Sequence, residues 1–382
     1  MTDLFVEPAD VLLFRDGRSF SAANGDTLAR GVFPPRPTVF YGAVRSALMS
    51  RAGADFDRDD FGLSGPVADV VGTQTDSGTL RIARFALARQ HEGTLERLYP
   101  VPSDVLVRKD DRTAPRKERR YTLLHPQEAP GRTNGPEGVR LPWTDDDALD
   151  AVYTNADGYL PESAFRNVLA GGTSAMQDTL DADALFRTEP RTSVAIDDDR
   201  GTGEPGRLFT VAFTRASPNV GFLLRLEDEA GQVPQRGWLR LGGEACAARF
   251  TTVDPPAAAD DNLASSIQKK GRLKLVLTTP GVFEQGWHPD RIGDDRTGTI
   301  AGCRVRLRGA AVEGHEPLGG GDLAAGRPKT TRRAVPAGSV YFFELDDPSD
   351  AERLVEAGPV LSLAASDDDR KQGLGLAALG TY

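Results

Sequence analysis

Cysteine and histidine are both scarce in this chain of 382 residues. The two cysteines, Cys246 and Cys303, lie far apart in the sequence, which excludes a disulfide framework and a cysteine-rich metal site. Two isolated cysteines favour reduced thiols in the cytoplasm. The four histidines share no motif spacing. We therefore expect no metal, no cofactor and no catalytic residue.

Long apolar runs are also missing, since none approaches the roughly 20 residues that a membrane helix needs. Asp3 and Glu7 interrupt the first residues, so a signal peptide is not expected. A nucleotide P-loop is lacking. The terminal Gly373-Leu374-Gly375 only superficially resembles a dinucleotide motif, because too few residues follow it to form the receiving helix. The prediction is a cytoplasmic protein, without a membrane segment, that is not an enzyme.

The net charge of −10 and the pI of about 5.1 argue against a free-standing nucleic-acid binder. The bases are nevertheless concentrated locally. Residues 108–120 hold seven Lys or Arg against three acids, and residues 327–333 hold four bases and no acid. Of the 46 basic residues 39 are Arg, the side chain that makes forked contacts with phosphate and stacks on bases. A local basic groove is compatible with this composition.

The apolar pattern predicts an α+β fold that is rich in sheet. Strands are predicted at 4–14, within 79–107, and at 238–241, 249–253, 273–279, 303–307, 339–345 and 374–379. Shorter helices are predicted at 161–170, 262–268 and 350–357. The clearest helix is 39–51, in which Phe40, Val44 and Leu48 recur every four residues after an N-cap at Thr38. Gly42 interrupts this helix at a cost of about 1 kcal/mol, which indicates that something packs close to it.

Two segments are candidates for projecting structures. Residues 108–150 are rich in proline, glycine and charge and predict a long loop or insertion, which usually means function or disorder. Residues 191–215 predict a long hairpin, with arms at 192–196 and 208–214 and a polar tip at 197–206.

Five blocks, in order along the chain, resemble the RAMP subunit of the type III-B CRISPR Cmr module. They are Leu13–Phe20 with Gly31–Thr38 and Gly42–Arg45; Glu189–Asp197 with Gly206–Phe209; Leu241–Glu244 with Arg249; Thr278–Phe283 with Gly286–Pro289; and Arg333–Tyr341 with Gln372–Ala377. Two positions depart from the family pattern. Ser19 stands where a proline is frequent, and Leu374 replaces a common phenylalanine and so removes a possible stacking ring.

The resemblance implies two ferredoxin-like (RRM-like) domains with glycine-rich loops. The first domain would span 1–232, with the insertion near 108–150 and the hairpin near 191–215. The second would span 233–382 and end in the glycine-rich loop. Either the hairpin or the insertion could be the thumb of the family, and the sequence does not choose between them.

The resemblance also implies a function. The protein would be a non-catalytic crRNA-binding subunit of a type III-B effector complex in antiviral defence, gripping the 5′ repeat-derived tag of the guide RNA at the foot of the complex. Its neighbours would be the large polymerase-like subunit and the first backbone RAMP subunit. Two alternatives stay open: an RNA-processing RAMP endoribonuclease, and a protein-only scaffold whose RNA groove has been lost.

The matching motifs nominate the RNA-binding residues. They are Arg15, Arg18, Arg45, Arg191 and Lys371 as cations, with Gly373 and Gly375 allowing the backbone to close on the RNA. Weaker candidates rest on local charge alone and are Arg119, Arg120, Arg332 and Arg333. The competing interpretation for each arginine is a surface salt bridge, because the chain holds 56 acids.

Overall fold

The computed structural model describes residues 1–14, 28–29, 31–127, 139–144, 152–197, 199–254, 262–322 and 327–382. The elements of the first half are β1 (Thr2–Pro8), β2 (Leu28–Ala29), α1 (Pro37–Arg51), α2 (Pro66–Val71), β3 (Arg81–His91), β4 (Thr94–Pro100), β5 (Val105–Arg108), β6 (Tyr121–Leu123), β7 (His125–Gln127), β8 (Leu141–Trp143), β9 (Tyr153–Asn155), β10 (Tyr159–Pro161), α3 (Glu162–Leu169) and α4 (Ala182–Leu185). Those of the second half are β11 (Phe186–Asp197), β12 (Thr202–Ala216), β13 (Val220–Glu227), β14 (Arg236–Arg240), β15 (Ala247–Val253), α5 (Leu263–Lys270), β16 (Arg272–Leu277), β17 (Thr297–Ile300), β18 (Cys303–Ala311), β19 (Glu316–Leu318), β20 (Gly321–Asp322), β21 (Arg327–Pro328), β22 (Arg332–Ala334), β23 (Val340–Leu345), α6 (Ala351–Glu356), β24 (Val360–Ser362), α7 (Asp367–Lys371) and β25 (Leu376–Gly380).

The chain forms two compact units, each assembled from segments that are distant in sequence. Unit 1 holds residues 1–80, 182–253 and 317–332, and unit 2 holds residues 81–181, 254–316 and 333–382. The predicted boundary at 232/233 falls inside unit 1, between β13 and β14. It does so because β14 pairs with β15, which in turn pairs with β1 at the start of the chain.

In unit 1, β13, β1, β15 and β14 lie side by side in that order, all antiparallel. Helix α1 buries the predicted apolar face of Phe40, Val44 and Leu48, and the Phe40 ring lies 4.7 Å from that of Phe222 in β13. The helix begins at Pro37 rather than at residue 39. Proline suits this first position because its fixed φ is already helical and its missing N–H would have had no partner there.

The predicted hairpin is confirmed and is longer than expected. Strands β11 and β12 pair from Phe186↔Ala216 to Asp197↔Thr202, with a bulge between Val194 and Ile196. The turn therefore lies between Asp197 and Thr202, which shortens the predicted tip of 197–206. Short strand β2 runs parallel to β12 on its other side.

Unit 2 contains a six-stranded antiparallel sheet in the order β17-β18-β23-β16-β25-β24. It also contains three smaller groups of strands: β10-β4-β3, β6-β5-β9 and β7-β8. The described parts of the 108–150 segment are not an unstructured loop. They include β6, β7 and β8, which pair locally, and the remainder of that segment, 128–138 and 145–150, lies outside the described residues.

The six-stranded sheet of unit 2 has two different faces, because neighbouring side chains of a strand point to opposite sides. Leu273, Leu275 and Leu277 of β16 face a large apolar cluster that includes Ile267 of α5 and Leu354 of α6. On the other face Val276 joins a second apolar cluster with β4 and α3, and Arg272 and Lys274 lie on that face in the first part of β16. The mixture of short helices and mostly antiparallel sheets confirms the α+β class.

Candidate nucleic-acid interface

The described residues that flank segment 15–27, which carries two of the predicted RNA contacts, lie beside the hairpin. Arg15 and Arg18 themselves lie outside the described residues. At the two ends of their segment, the main-chain N–H of Val32 donates to the carbonyl of Phe14 over 2.6 Å, and β2 pairs with β12 of the hairpin. The described residues on either side of segment 15–27 are therefore neighbours of the hairpin within unit 1.

A turn formed by Gly242 and Gly243 packs against Leu13, just before segment 15–27. The N–H of Gly243 donates to the carbonyl of Leu13 over 2.8 Å. The preceding Gly242 has a φ of +83°, and a Cβ placed there would lie 2.4 Å from that carbonyl oxygen. Only glycine satisfies both the conformation and the space. This close approach gives a physical reason for the Leu-Gly-Gly-Glu block at 241–244.

Arg191 lies at the base of the hairpin in a network of two arginines and two acids. Its Nη2 is 3.1 Å from Asp10 and 2.8 Å from Glu189. Arg215, on the neighbouring strand, bonds the same two carboxylates and lies 2.8 Å from Asp10. The Arg191 guanidinium also lies 5.4 Å from the ring centroid of Phe213.

The arginines keep both carboxylates of this network ionised. Hydrogen bonds from Arg215 and then Arg191 lower the pKa of Glu189 to about 2. Hydrogen bonds from Arg191 and Arg215 lower the pKa of Asp10 as well. The four charges balance, so an RNA phosphate would compete with two carboxylates for Arg191.

Arg45 is half-buried on α1 and makes contacts inside unit 1. Its guanidinium donates to the carbonyls of Val71 and Thr73 and lies 5.5 Å from the ring centroid of Phe61. Burial, the largest influence on this group, lowers the pKa of Arg45. These contacts tie α1 to the turn after α2.

Gly42, three residues before Arg45, differs from the expectation that something packs close to it. No described atom would lie within 4 Å of a Cβ at this position, and the residue is exposed. The flank of α1 beside Gly42 is therefore open within the described chain.

The terminal glycines form a buried turn between α7 and β25, rather than part of a strand. The carbonyl of Gly373 accepts a 2.8 Å hydrogen bond from the hydroxyl of Thr279. Gly375 has a φ of +65°, and a Cβ there would lie 2.9 Å from the main-chain nitrogen of Ala364. The close approach that these glycines permit in the structure is to other parts of unit 2.

The two weaker candidates of the 108–120 segment also have partners within the chain. Arg119 donates through Nε to the carbonyl of Ala114 over 2.8 Å. Arg120 is exposed and makes a two-pronged ion pair with Asp111, both hydrogen bonds being 2.8 Å long. Arg120 also holds the pKa of Asp111 down, at about 2.

The remaining candidate cations are spread over both units. Lys371 pairs with Asp367 of the same helix over 3.1 Å. Arg332 belongs to unit 1 and Arg333 to unit 2, and both are exposed. The structure thus groups Arg45, Arg191 and Arg332 in one unit, and places the 119–120 pair, Lys371 and the two glycines in the other.

Several exposed side chains of the hairpin were not nominated by the motif comparison. Arg187 pairs in register with Arg215, is exposed, and has no acidic partner among the described residues. Towards the tip, Val194, Ile196 and Leu208 are 41%, 62% and 60% exposed. Their signal in the sequence is the presence of aliphatic residues on both arms near the polar tip.

Metal-ligating side chains do not converge in the part of the chain that the structure describes. No set of three His, Cys, Asp or Glu side chains there could hold a metal ion. His288 is 3% exposed, with Nδ1 3.2 Å from the carbonyl of Pro289 and Nε2 3.2 Å from Arg296. Among the described helices, none is long and apolar enough to span a membrane.

A family model described as CRISPR-associated protein (Cas_Cmr3) matches residues 4–382. No curated protein matches the chain.

Three solved structures illustrate its likeness to known folds. A chain of the type III-B Cmr-beta complex bound to cognate target RNA has a TM-score of 0.50 and 13% identity, covering 89% of this chain and 86% of that one. A chain of the same type of complex with target RNA and AMPPnP has a TM-score of 0.49 at 13% identity and the same coverage. A chain of the Csm3–Csm4 subcomplex of the type III-A interference complex has a TM-score of 0.38 and 12% identity, covering 89% and 92%. At these identities the first likeness is one of fold.

Proposed function

The chain belongs to the Cas_Cmr3 family of CRISPR-associated proteins, as a RAMP-family subunit of the Cmr type, and from this premise we propose that it grips the 5′ repeat-derived tag of the guide RNA. In this role it binds RNA without cutting it, within a cytoplasmic type III-B effector complex. Its proposed neighbours are the large polymerase-like subunit and the first backbone RAMP subunit. The solved complex that contains the chain of similar fold is described as bound to cognate target RNA.

The strand order of unit 2 supports the proposal that this unit contains a ferredoxin-like domain. Four neighbouring strands lie in the order β25-β16-β23-β18. The first and third of them in chain order, β16 and β23, are central, and α6 lies between the third and the fourth, as in a βαββαβ fold. Turns occupy 278–296, where that fold has its first helix. A second ferredoxin-like domain, in the N-terminal part of the chain, stays a prediction.

The observation that carries the proposed function is the hairpin. Strands β11 and β12 are 12 and 15 residues long and carry the exposed aliphatic side chains of Val194, Ile196 and Leu208 in the half of the hairpin nearer its turn. Folding alone does not explain exposed aliphatic side chains, because much of their surface is not buried in the described chain. Aliphatic side chains of this kind act as wedges between stacked bases. Strand β2, which directly follows the segment that carries Arg15 and Arg18, pairs with β12. We therefore favour the hairpin over the 108–150 segment as the thumb that splays a nucleotide next to the tag.

The nominated arginines do not have equal standing in this proposal. Arg15 and Arg18 keep the phosphate-binding role that their motif suggests. Arg45 and Arg191 have partners inside unit 1, so an RNA contact from either would replace or extend an existing bond. The intramolecular partners of Arg45 and Arg191 also favour the second candidate function, a protein-only scaffold. A scaffold does not bind phosphates, so it needs no free arginines, and a net charge of −10 suits it.

Retention of guide RNA by the reconstituted effector complex tests the proposal. We would compare Arg18→Ala/Arg45→Ala and Ile196→Ser/Leu208→Ser with the wild type, using guides with intact or scrambled 5′ tags. Arg304→Ala is the matched control, because Arg304 is 76% exposed and, among the described residues, forms an ion pair with Asp346 alone. The proposal expects tag-dependent retention to fall in both double variants and not in the control. Unchanged retention and tag discrimination in assembled complexes would favour the scaffold.

A further inference from the structure

A polar cavity of about 430 Å³ opens in unit 2, beside Arg272 and Lys274 of β16. The side chains that characterise it are Asp104, His125, Lys270, Arg272, Lys274 and Tyr382. The size falls within the roughly 300–1,000 Å³ that is usual for small-molecule sites. None of the RNA-contact candidates from the sequence motifs contributes to its lining.

A buried ion pair forms one wall of the cavity. The Nζ of Lys274 lies 2.6 Å from Oδ2 of Asp104, and each side chain is 1% exposed. The other carboxylate oxygen, Oδ1, is buried without a hydrogen-bond partner among the described residues. An ammonium group has three donors, and one of those of Lys274 is used here. The wall therefore contains a carboxylate oxygen of Asp104 that lacks a donor, next to ammonium N–H groups of Lys274 that lack an acceptor among the described residues.

Leaving a buried carboxylate oxygen unpaired is unfavourable, because the group has lost water without gaining a donor. A ligand with an N–H group beside a carbonyl or ring nitrogen would supply what both partners lack. Every nucleobase presents such an adjacent donor and acceptor on its edge.

The mouth of the cavity supplies the complementary charge. Lys270, the last residue of α5, and Arg272, the first of β16, are exposed and have no acidic partner among the described residues. The guanidinium of Arg272 lies 5.7 Å from the ring centroid of Tyr382, which fixes its direction. Burial raises the pKa of Tyr382 to about 12, so its hydroxyl stays protonated and able to donate at neutral pH.

We propose that this cavity binds a single nucleotide. The base edge lies against Asp104 and Lys274, its N–H donating to the free Oδ1, and the phosphate lies between Lys270 and Arg272. The choice of a nucleotide, among ligands with both a donor edge and an anionic group, rests on the RNA-binding role proposed above. The residues that line the site belong to unit 2, whereas the hairpin and the arginine nominated on it belong to unit 1.

Calorimetric titration of the isolated full chain with AMP, GMP, CMP, UMP and inorganic phosphate tests the proposal. At least one nucleotide should bind saturably at one site and more tightly than phosphate. Arg272→Ala and Lys270→Ala should each weaken that nucleotide about tenfold, the usual loss for a hydrogen bond to a charged group. Lys269→Ala is the matched control and should change nothing, because Lys269 is exposed on the same helix outside the cavity.

Asp104→Asn separates the base contact from the phosphate contact. It should weaken nucleotide binding and leave phosphate binding as in the wild type. If this buried variant fails to fold, the two exposed variants still decide the question. Absence of binding by all four nucleotides, preference for phosphate, or wild-type affinity in Arg272→Ala would overturn the proposal.

The source of the nucleotide follows from a parallel titration with an RNA octamer. If Arg272→Ala weakens the octamer as well, the cavity takes a nucleotide of a strand; if it weakens only mononucleotides, the ligand is a free nucleotide. Both results support the site. Because the isolated chain is titrated, failure here leaves the tag-gripping role untouched, and failure of tag retention leaves this site untouched.

Discussion

Removing Lys274 alone should destabilise unit 2 strongly. Lys274→Met deletes the ammonium that neutralises Asp104 and leaves a carboxylate with 1% exposure uncompensated. Breaking a buried pair on one side typically costs about 3–5 kcal/mol. Replacing both partners removes the buried charge altogether, so Asp104→Leu/Lys274→Met should recover most of the loss and come within about 1–2 kcal/mol of the wild type.

Equilibrium urea unfolding measures this effect if the probe reports unit 2. Trp287 is partly buried against the apolar core of that unit. Replacing Trp143 and Trp238 by Phe leaves Trp287 as the reporter of unfolding in all variants. A loss below about 1 kcal/mol in Lys274→Met, or a double variant as unstable as the single one, would refute the reasoning from an uncompensated buried charge.

Three further predictions concern glycines and the hairpin network. Gly375→Ala should lower the melting temperature more than the control Gly286→Ala, because both have positive φ but only Gly375 has a close neighbour; equal losses would contradict this. Gly42→Ala should stabilise the isolated chain by about 1 kcal/mol in thermal unfolding, since the helix gains propensity and no described atom obstructs the methyl group; a loss would show that the flank of α1 is not open. Glu189 has a pKa lowered from 4.5 to about 2. Its contribution to the free energy of unfolding is therefore complete above pH 4.5 and is lost as the pH falls towards 2. In an acid titration of stability, Glu189→Gln should lack this part of the decline, and an identical decline would reject it.

Much of the secondary structure followed from the sequence because its causes are local. The four-residue spacing of Phe40, Val44 and Leu48 indicates helix α1, alternation indicates the first part of β16, and a short continuous apolar run indicates β23. The predicted start of α1 is too late because the prediction uses Thr38 as a cap, whereas the helix begins with proline at its first position. The short strands of the 108–150 segment are not predicted, because its proline, glycine and charge content hides strands that become stable only by pairing.

The contacts of the candidate site could not be predicted from the sequence, because they join residues that are distant along the chain. Arg191 finds Asp10, 181 residues away, and Asp104 finds Lys274, 170 residues away. No spacing within a motif encodes such pairs. The alternation of Arg272 and Lys274 with leucines did carry a signal, a strand with one charged face.

The most direct test of the tag-gripping account is photo-crosslinking within the assembled effector complex. The guide RNA would carry a single photoreactive uridine, either in the 5′ tag or near the 3′ end of the spacer. The account predicts that the tag position crosslinks to this chain, with peptides from the hairpin or from residues 15–27, and that the 3′ position does not. Crosslinking of the tag to other subunits alone would contradict it.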